Sequence, residues 1–309
     1  MISNLTDEKI KFLEEKAKDI RISIIEMLVS AGSGHSAGPL GMADIFATLY
    51  FFVLRHDPKN PSWSERDRLV LSNGHICPVL YATMAHSGYF PVDELLTLRK
   101  FKSHLQGHPH RDFLPALETS SGPLGSGLSQ AVGMAIADKM PARQDGTAGG
   151  DKGKTSDKFI YCMMSDGELD CGQSWEAALF AGKQKLGNLI AIVDRNNIQI
   201  DGYTEDVMPL EPLRSKFESF NFHVQEIDGH NFQEIVEAVG RAQAIFNKPS
   251  VIIARTIPGK GVSFMERDFK WHGSPPGTEM AGEPPKDEQA KIALNELRTL
   301  GGQITGEHE

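Results

Sequence analysis

Apolar side chains at Ile10, Leu13, Ala17, Ile20, Ile24 and Met27 recur every three or four positions, which predicts one stripe of an amphipathic helix. Thr6 is placed to cap that helix, and Asp7 and Glu8 suit its positive end. Ala31-Gly32-Ser33-Gly34 stops it. Residues 42–54 are apolar almost all round and predict a buried second helix. Short apolar runs at 68–71, 159–164, 189–193, 223–226 and 251–254 read as strands. Helical periodicity at 78–86, 92–101, 126–140, 174–185, 232–244 and 287–300 surrounds and separates them. Gly133 and neighbouring alanines in 126–140 predict close packing there. Strands alternating with helices predict an α/β chain, a doubly wound and mostly parallel sheet flanked by helices. Residues 1–309 are expected to form one domain, with a flexible surface loop at 143–158 and a helical C-terminal appendage at 285–309. The stretches 103–123 and 256–276 hold glycine, proline and histidine without periodicity and read as functional loops.

Chemistry concentrates where two of the apolar runs end. Ser165-Asp166-Gly167 follows the run 159–164, and Arg195-Asn196-Asn197-Ile198 follows the run 189–193. In an open α/β sheet, ligands gather at the carboxyl ends of strands, so Asp166 and Asn196 are expected to face one site. Hard oxygen donors, few in number, suit magnesium completed by waters and a ligand's phosphates. Gly167 allows close approach of backbone to a phosphate, and the helix that follows points its positive end the same way. Asp-Gly and Asn-Asn are also common turn residues, so this pair alone leaves two readings open.

Bulk properties narrow the field. A net charge of −9 offers no basic face to a nucleic acid. The three cysteines, Cys77, Cys162 and Cys171, have no disulfide-framework or metal-ligand spacing. No leader segment is expected at the N-terminus and no apolar stretch is long enough to span a bilayer, so a cytoplasmic soluble protein is expected, with no membrane partner.

Four loops carry a histidine beside glycine: Gly34-His35, Gly74-His75, Gly107-His108 and His272-Gly273. Neutral imidazoles can donate hydrogen bonds to hydroxyls and phosphates and pass protons near neutral pH. With the segments Arg66-Asp67-Arg68-Leu69-Val70-Leu71-Ser72-Asn73-Gly74-His75, Ser121-Gly122-Pro123-Leu124-Gly125, Trp175-Glu176-Ala177-Ala178 and Trp271-His272-Gly273, the chain resembles the N-terminal, diphosphate-binding part of transketolase. Asp166-Gly167, a filling of 28 residues (168–195) and then Asn196-Asn197 resembles the thiamine-diphosphate signature, with Ser165 in place of its first glycine.

The resemblance implies roles position by position. Asp166 and Asn196 would ligate magnesium, or another divalent ion such as calcium or manganese, through side chains, and Ile198 through its carbonyl. His75, Gly167 and His272 would hold the diphosphate, and Gly122, Pro123 and Leu124 would pack along the cofactor. His35, His108 and His272 would line the substrate channel and carry protons. Asp228-Gly229-His230-Asn231 is expected only to shape a turn. The family's activating glutamate and most of its sugar-phosphate arginines belong to a second, pyrimidine-binding domain, which would begin where this chain stops. The resemblance therefore implies one subunit of a split transketolase, moving a two-carbon ketol unit from a ketose to an aldose. It would be inactive alone and paired with a C-terminal subunit, in an α2β2 assembly if the family's paired architecture holds. The apolar helices at 42–54 and 126–140 are expected to supply part of the subunit contact. Rival readings are a deoxyxylulose-phosphate-synthase-like subunit, a 2-oxo-acid dehydrogenase α subunit, or a non-catalytic cofactor-binding paralogue. One departure stands out: Cys171 occupies the place where the family carries a glutamate, with Asp170 as a possible substitute.

Overall fold

Buried strands with two covered faces dictate the architecture. In the computed structural model, which describes residues 5–140 and 157–299, five strands pair in parallel: β1 (Arg68–Leu71), β2 (Ile160–Ser165), β3 (Leu189–Arg195), β6 (His223–Asp228) and β7 (Ser250–Arg255), in the order β1-β2-β3-β7-β6. A small antiparallel pair, β4 (Ile198–Gln199) and β5 (Gly202–Tyr203), lies beside it. Successive side chains along a strand point to opposite faces. Along β2, Tyr161 and Met163 enter one core, while Ile160, Cys162 and Met164 enter the other.

Helices cover both faces. On the first lie α1 (Asp7–Ala31), α2 (Ala37–Gly41), α3 (Ala43–Thr48), α4 (Cys77–His86), α9 (Phe232–Gln243) and α10 (Lys286–Thr299). On the second lie α5 (Gly127–Lys139), α6 (Gly172–Lys183) and α8 (Leu213–Ser219). A one-turn helix α7 (Thr204–Val207) follows β5. The doubly wound prediction is therefore met. The chain leaving β3 runs over the second face and the chain leaving β7 over the first, so these neighbours form the switch point where ligands collect.

Helix α1 begins and ends as its sequence implies. Thr6 accepts from the Lys9 amide, and Gly32 ends the helix in the left-handed region at φ 62°. The expected helix at 42–54 is instead broken. It runs as α3 and then a π turn over Leu49–Val53, in which the Leu54 amide reaches the Leu49 carbonyl. Most of this stretch enters the chain's own core, and Tyr50, Phe51, Phe52 and Leu54 are only partly buried. The helix expected at 92–101 shrinks to a 3-10 turn, Val92–Thr97. Leu95 and Leu98 are buried, but Phe101 is 93% exposed and Arg99 and Lys102 take positive φ, so no apolar face sustains a helix there. Gly133 does not serve close packing within the chain: a Cβ there would meet nothing within 4 Å. The expected loop at 143–158 lies outside the described residues apart from 157 and 158, as does the end of the C-terminal appendage beyond 299. The cysteines are free, with Cys77 and Cys162 buried. Among the described residues no helix is long and apolar enough to cross a membrane.

Candidate active site

Four carboxyl-end loops of the sheet meet. After β1 come Ser72, Asn73 and a 3-10 turn, Gly74–Ile76. After β2 comes Asp166, which opens another 3-10 turn, Gly167–Asp170. Asn196 follows β3, and the loop that ends in Trp271-His272-Gly273 follows β7.

The acidic half is tightly bonded. Asp166 is fully buried. Its Oδ1 accepts from the Gly167 amide at 2.8 Å, and its Oδ2 accepts from the Asn197 amide at 2.8 Å and from Arg195 at 3.1 Å. Burial lifts the Asp166 carboxyl to about 6 against the pull of Arg195 and these amides. Arg195 also reaches Thr204, Glu205 and Glu211, and so fastens the segment after β5 to the site. The Asn196 amide is oriented: its Nδ2 donates to Asp194 Oδ2 at 2.7 Å, and its Oδ1 accepts from the Ile198 amide at 3.0 Å. Asp194 also accepts from Thr256 at the root of the β7 loop. Burial, with the charge of Asp166 adding, raises Asp194 to about 7. Glu168 is buried too, accepts from Ser72 at 2.6 Å, and is pushed up to about 7 by burial.

The histidine half is different. The rings of His35, His75 and His272 pack around one point, with centroids 5.0 Å apart for His35–His75, 5.1 Å for His75–His272 and 5.6 Å for His35–His272. His108 joins them from the 103–123 loop: a Cβ on Gly122 would lie 3.9 Å from its Cβ. Gly74 permits this closure, since a Cβ there would stand 2.9 Å from the Gly122 nitrogen. Burial, then the neighbouring His272, Arg99 and His108, lowers His35 to about 3. Burial lowers His272 to about 4, and holds His75 well below the ordinary range with help from its ring neighbours. Burial and Arg99 depress His108 as well. All four are therefore neutral near pH 7 and can both donate and accept. His35 Nδ1, His272 Nδ1, both polar atoms of the Asn73 side chain and Ser121 Oγ are buried without a partner in the protein.

Every residue the sequence singled out thus lies at or beside this edge. Pro123 and Leu124 are exposed on its rim, and the Leu124 carbonyl accepts from Gln173. Sequence reasoning gave no role to Asn73, Ser121, Arg99, Arg195 or Asp194. Asn73 had a signal, its place directly after a strand and before Gly74-His75. Arg99, Arg195 and Asp194 act through partners distant in sequence, and the Ser121 hydroxyl has no partner in the protein. Cys171 caps α6 against Gly125, where an added Cβ would approach its own Cβ to 2.7 Å. Asp170 beside it accepts from Gln199 through Oδ2 at 3.0 Å.

The donor set tests what the site can hold. One carboxylate, one oriented amide oxygen and a nearby backbone carbonyl form a hard-oxygen set fit for magnesium. Among the described residues no group of three or more His, Cys, Asp or Glu side chains could hold a metal, and this set contains only one such residue. Buried, unpartnered donors and acceptors beside it fit the oxygens of a diphosphate.

Comparison with known proteins agrees. Residues 13–283 match the family described as "Transketolase, thiamine diphosphate binding domain". The 6-deoxy-6-sulfo-D-fructose transketolase subunit SqwG of Clostridium sp. (strain MSTE9) is 45% identical over 260 residues, covering 84% of this chain and 90% of that protein. Transketolase 1 of Escherichia coli (strain K12) is 41% identical over 266 residues, 85% of this chain but 40% of that protein. A solved transketolase variant from Pichia stipitis superposes with a TM-score of 0.81 at 31% identity, covering 94% of this chain and 40% of that one. The chain thus spans about two fifths of the longer relatives it matches and nearly all of one named as a subunit. It belongs to the transketolase family, and residues 13–283 are its thiamine-diphosphate-binding domain.

Proposed function

We propose that this chain is the diphosphate-binding subunit of a two-chain, magnesium-dependent transketolase that moves a two-carbon ketol group from a ketose to an aldose. The observation that carries this reading is the convergence of three neutral histidine rings within 5.0–5.6 Å of one another, beside buried polar atoms that have no partner in the protein. Asp166, Asn196 and the Ile198 carbonyl would hold the ion, and His75, Gly167 and His272 the diphosphate. Gly122, Pro123 and Leu124 would flank the rings of the cofactor. When bound, thiamine diphosphate supplies the nucleophilic carbon and stores the electron pair released as the donor's C–C bond breaks. The work left to this chain is local. His35, His108 and His272 bond the sugar hydroxyls, and a neutral imidazole takes a hydroxyl proton and returns it to the acceptor. Burial keeps His35 and His272 neutral and keeps water from competing there, while the ring of His108 is exposed at the mouth of the site.

A partner chain would supply the pyrimidine-binding domain and the grip on the sugar's anionic end, in an α2β2 assembly. The relative named for 6-deoxy-6-sulfo-D-fructose favours ketoses that carry an anionic tail as substrates. The solvent face of α5, which includes Ser129 and Gly133, and the partly buried side chains of Tyr50, Phe51 and Phe52 are the candidates for subunit contact. The test is affinity purification of the chain from its own cells, followed by ketol-transfer assays with and without whatever copurifies in stoichiometric amount. Transfer by the complex alone is expected. Turnover by the purified single chain, or decarboxylation of a 2-oxo acid by the complex, would overturn this reading.

A further inference from the structure

His230 lies well away from the metal ligands in sequence, yet its side chain is 4% exposed and both ring nitrogens are engaged. The Ile257 amide donates to Nε2 at 2.8 Å, so Nε2 carries no proton. The proton is therefore on Nδ1, which stands 2.7 Å from Asp44 Oδ2 and donates to it. Asp44 is in turn gripped by Arg21 through two bonds of 2.9 and 2.6 Å, and Arg21 Nε donates to the Leu40 carbonyl. Despite the upward push of burial, Arg21 and His230 keep the Asp44 carboxyl well below the usual range. Burial lowers His230 against the pull of Asp44, which maintains the neutral ring.

Ile257 begins the loop that ends in His272. We propose that His230 is a positioning residue for that loop, tying its first amide to the buried Arg21–Asp44 pair and so setting where His272 stands. An Arg–carboxylate pair with two bonds is already satisfied, and burying it brings little stability. A third member that reaches a backbone amide adds placement. The surroundings leave little slack. The Gly229 amide donates to the Arg255 carbonyl at 2.8 Å, and a Cβ on Gly229 would come within 2.7 Å of Thr256. On the other side, a Cβ on Gly41 would come within 2.8 Å of the Ile257 carbonyl oxygen. At the far end of the loop, the Ser36 hydroxyl lies 3.0 Å from the Trp271 carbonyl and 2.7 Å from that of Ser274. The loop is thus held at both ends, and His230 holds the end farther from His272.

What the loop serves rests on the cofactor reading above, but its placement can be tested without a ligand. Two variants of the full chain separate the two bonds of the ring. In His230→Gln the side-chain oxygen can still accept from the Ile257 amide. In His230→Asn a side-chain N–H can still donate to Asp44, but nothing reaches Ile257. Amide hydrogen exchange over residues 257–273 should rise about tenfold in the Asn variant, with β2 and β3 unchanged, and stay near the parent in the Gln variant. Affinity for thiamine diphosphate with magnesium should fall by about the same factor in the Asn variant only. Equal exchange in the two variants, or no rise in the Asn variant, would overturn the proposal. Should either variant fail to fold, the ring nitrogen shifts of 15N-histidine in the parent decide: a proton on Nδ1 supports the proposal, and one on Nε2 overturns it. If the loop responds as stated while the parent binds no cofactor, positioning stands and the cofactor reading fails.

Discussion

Two halves of one site solve the burial of polar groups in opposite ways. Around Asp166 and Asn196, each side-chain oxygen has a backbone amide, a guanidinium or a second side chain against it. Around His35 and His272, the buried nitrogens, the Asn73 amide and the Ser121 hydroxyl find no partner in the protein. A buried polar group without a hydrogen bond costs roughly 1–3 kcal/mol. The first half is thus built into the fold's stability, while the second carries a cost that a polar ligand can offset. Substitutions in the two halves should separate folding from binding.

The largest effect belongs to Asp166→Ala. It removes the acceptor for two backbone amides and one partner of the buried Arg195, and should cost about 3 kcal/mol of stability. Urea unfolding measures that loss, and calorimetric titration should find magnesium-dependent binding of thiamine diphosphate abolished. A stability loss below about 1 kcal/mol would show that the acidic half is not part of the fold's support.

Acid should act next, through the histidine half. His35 titrates near 3 when folded, against an ordinary value of about 6.5. The unfolded chain therefore takes up this proton first, and stability falls as pH drops from about 6.5 toward 3. At pH 5 the loss from one such group is about 2 kcal/mol. Buried carboxylates titrate in the same range with opposite sign, so the informative quantity is a difference. Between about pH 7.5 and pH 5, His35→Gln should lose about 2 kcal/mol less than the parent. Equal acid losses would mean that His35 is not held neutral by the fold.

Much of this site was legible in the sequence, for an identifiable reason. Asp166 and Asn196 stand at the ends of apolar runs, and the end of a parallel strand fixes which edge of the sheet a residue occupies. What escaped depends on pairings that leave no local mark. Arg195 matters because it reaches Asp166, Glu205 and Glu211, and His230 because it reaches Asp44, 186 positions away. Helix α8 was missed because it is seven residues long and buries only Leu213 and Phe217. The stretch 92–101 misled in the other direction. Its spacing is helical, but Phe101 finds no apolar surface and stays 93% exposed, and periodicity without a surface to bury against does not make a helix.

Asn73→Leu sharpens the contrast within the histidine half. Both polar atoms of Asn73 are buried without a partner in the protein, so an apolar group of similar size should leave stability unchanged or slightly raised. Affinity for thiamine diphosphate should nonetheless fall about tenfold, which is 1.4 kcal/mol. If Asn73→Leu instead destabilised the chain as much as Asp166→Ala, the two halves would not differ in kind.

The smallest effect calibrates the others. Gly133 sits in the interior of α5, and a Cβ added there meets nothing within 4 Å. Glycine in a helix interior is roughly 0.5–1 kcal/mol worse than alanine, mostly through the freedom it has in the unfolded chain. Gly133→Ala should therefore stabilise the isolated chain by that amount in urea, with cofactor binding and the acid response unaltered. Because neither half of the site touches this position, any change in binding would mean that α5 reports to the site. The same variant probes the proposed subunit face. A methyl group that is harmless in the single chain but weakens copurification of the partner would place Gly133 where another backbone approaches closely, the circumstance in which a helix keeps a glycine at a cost to its own stability.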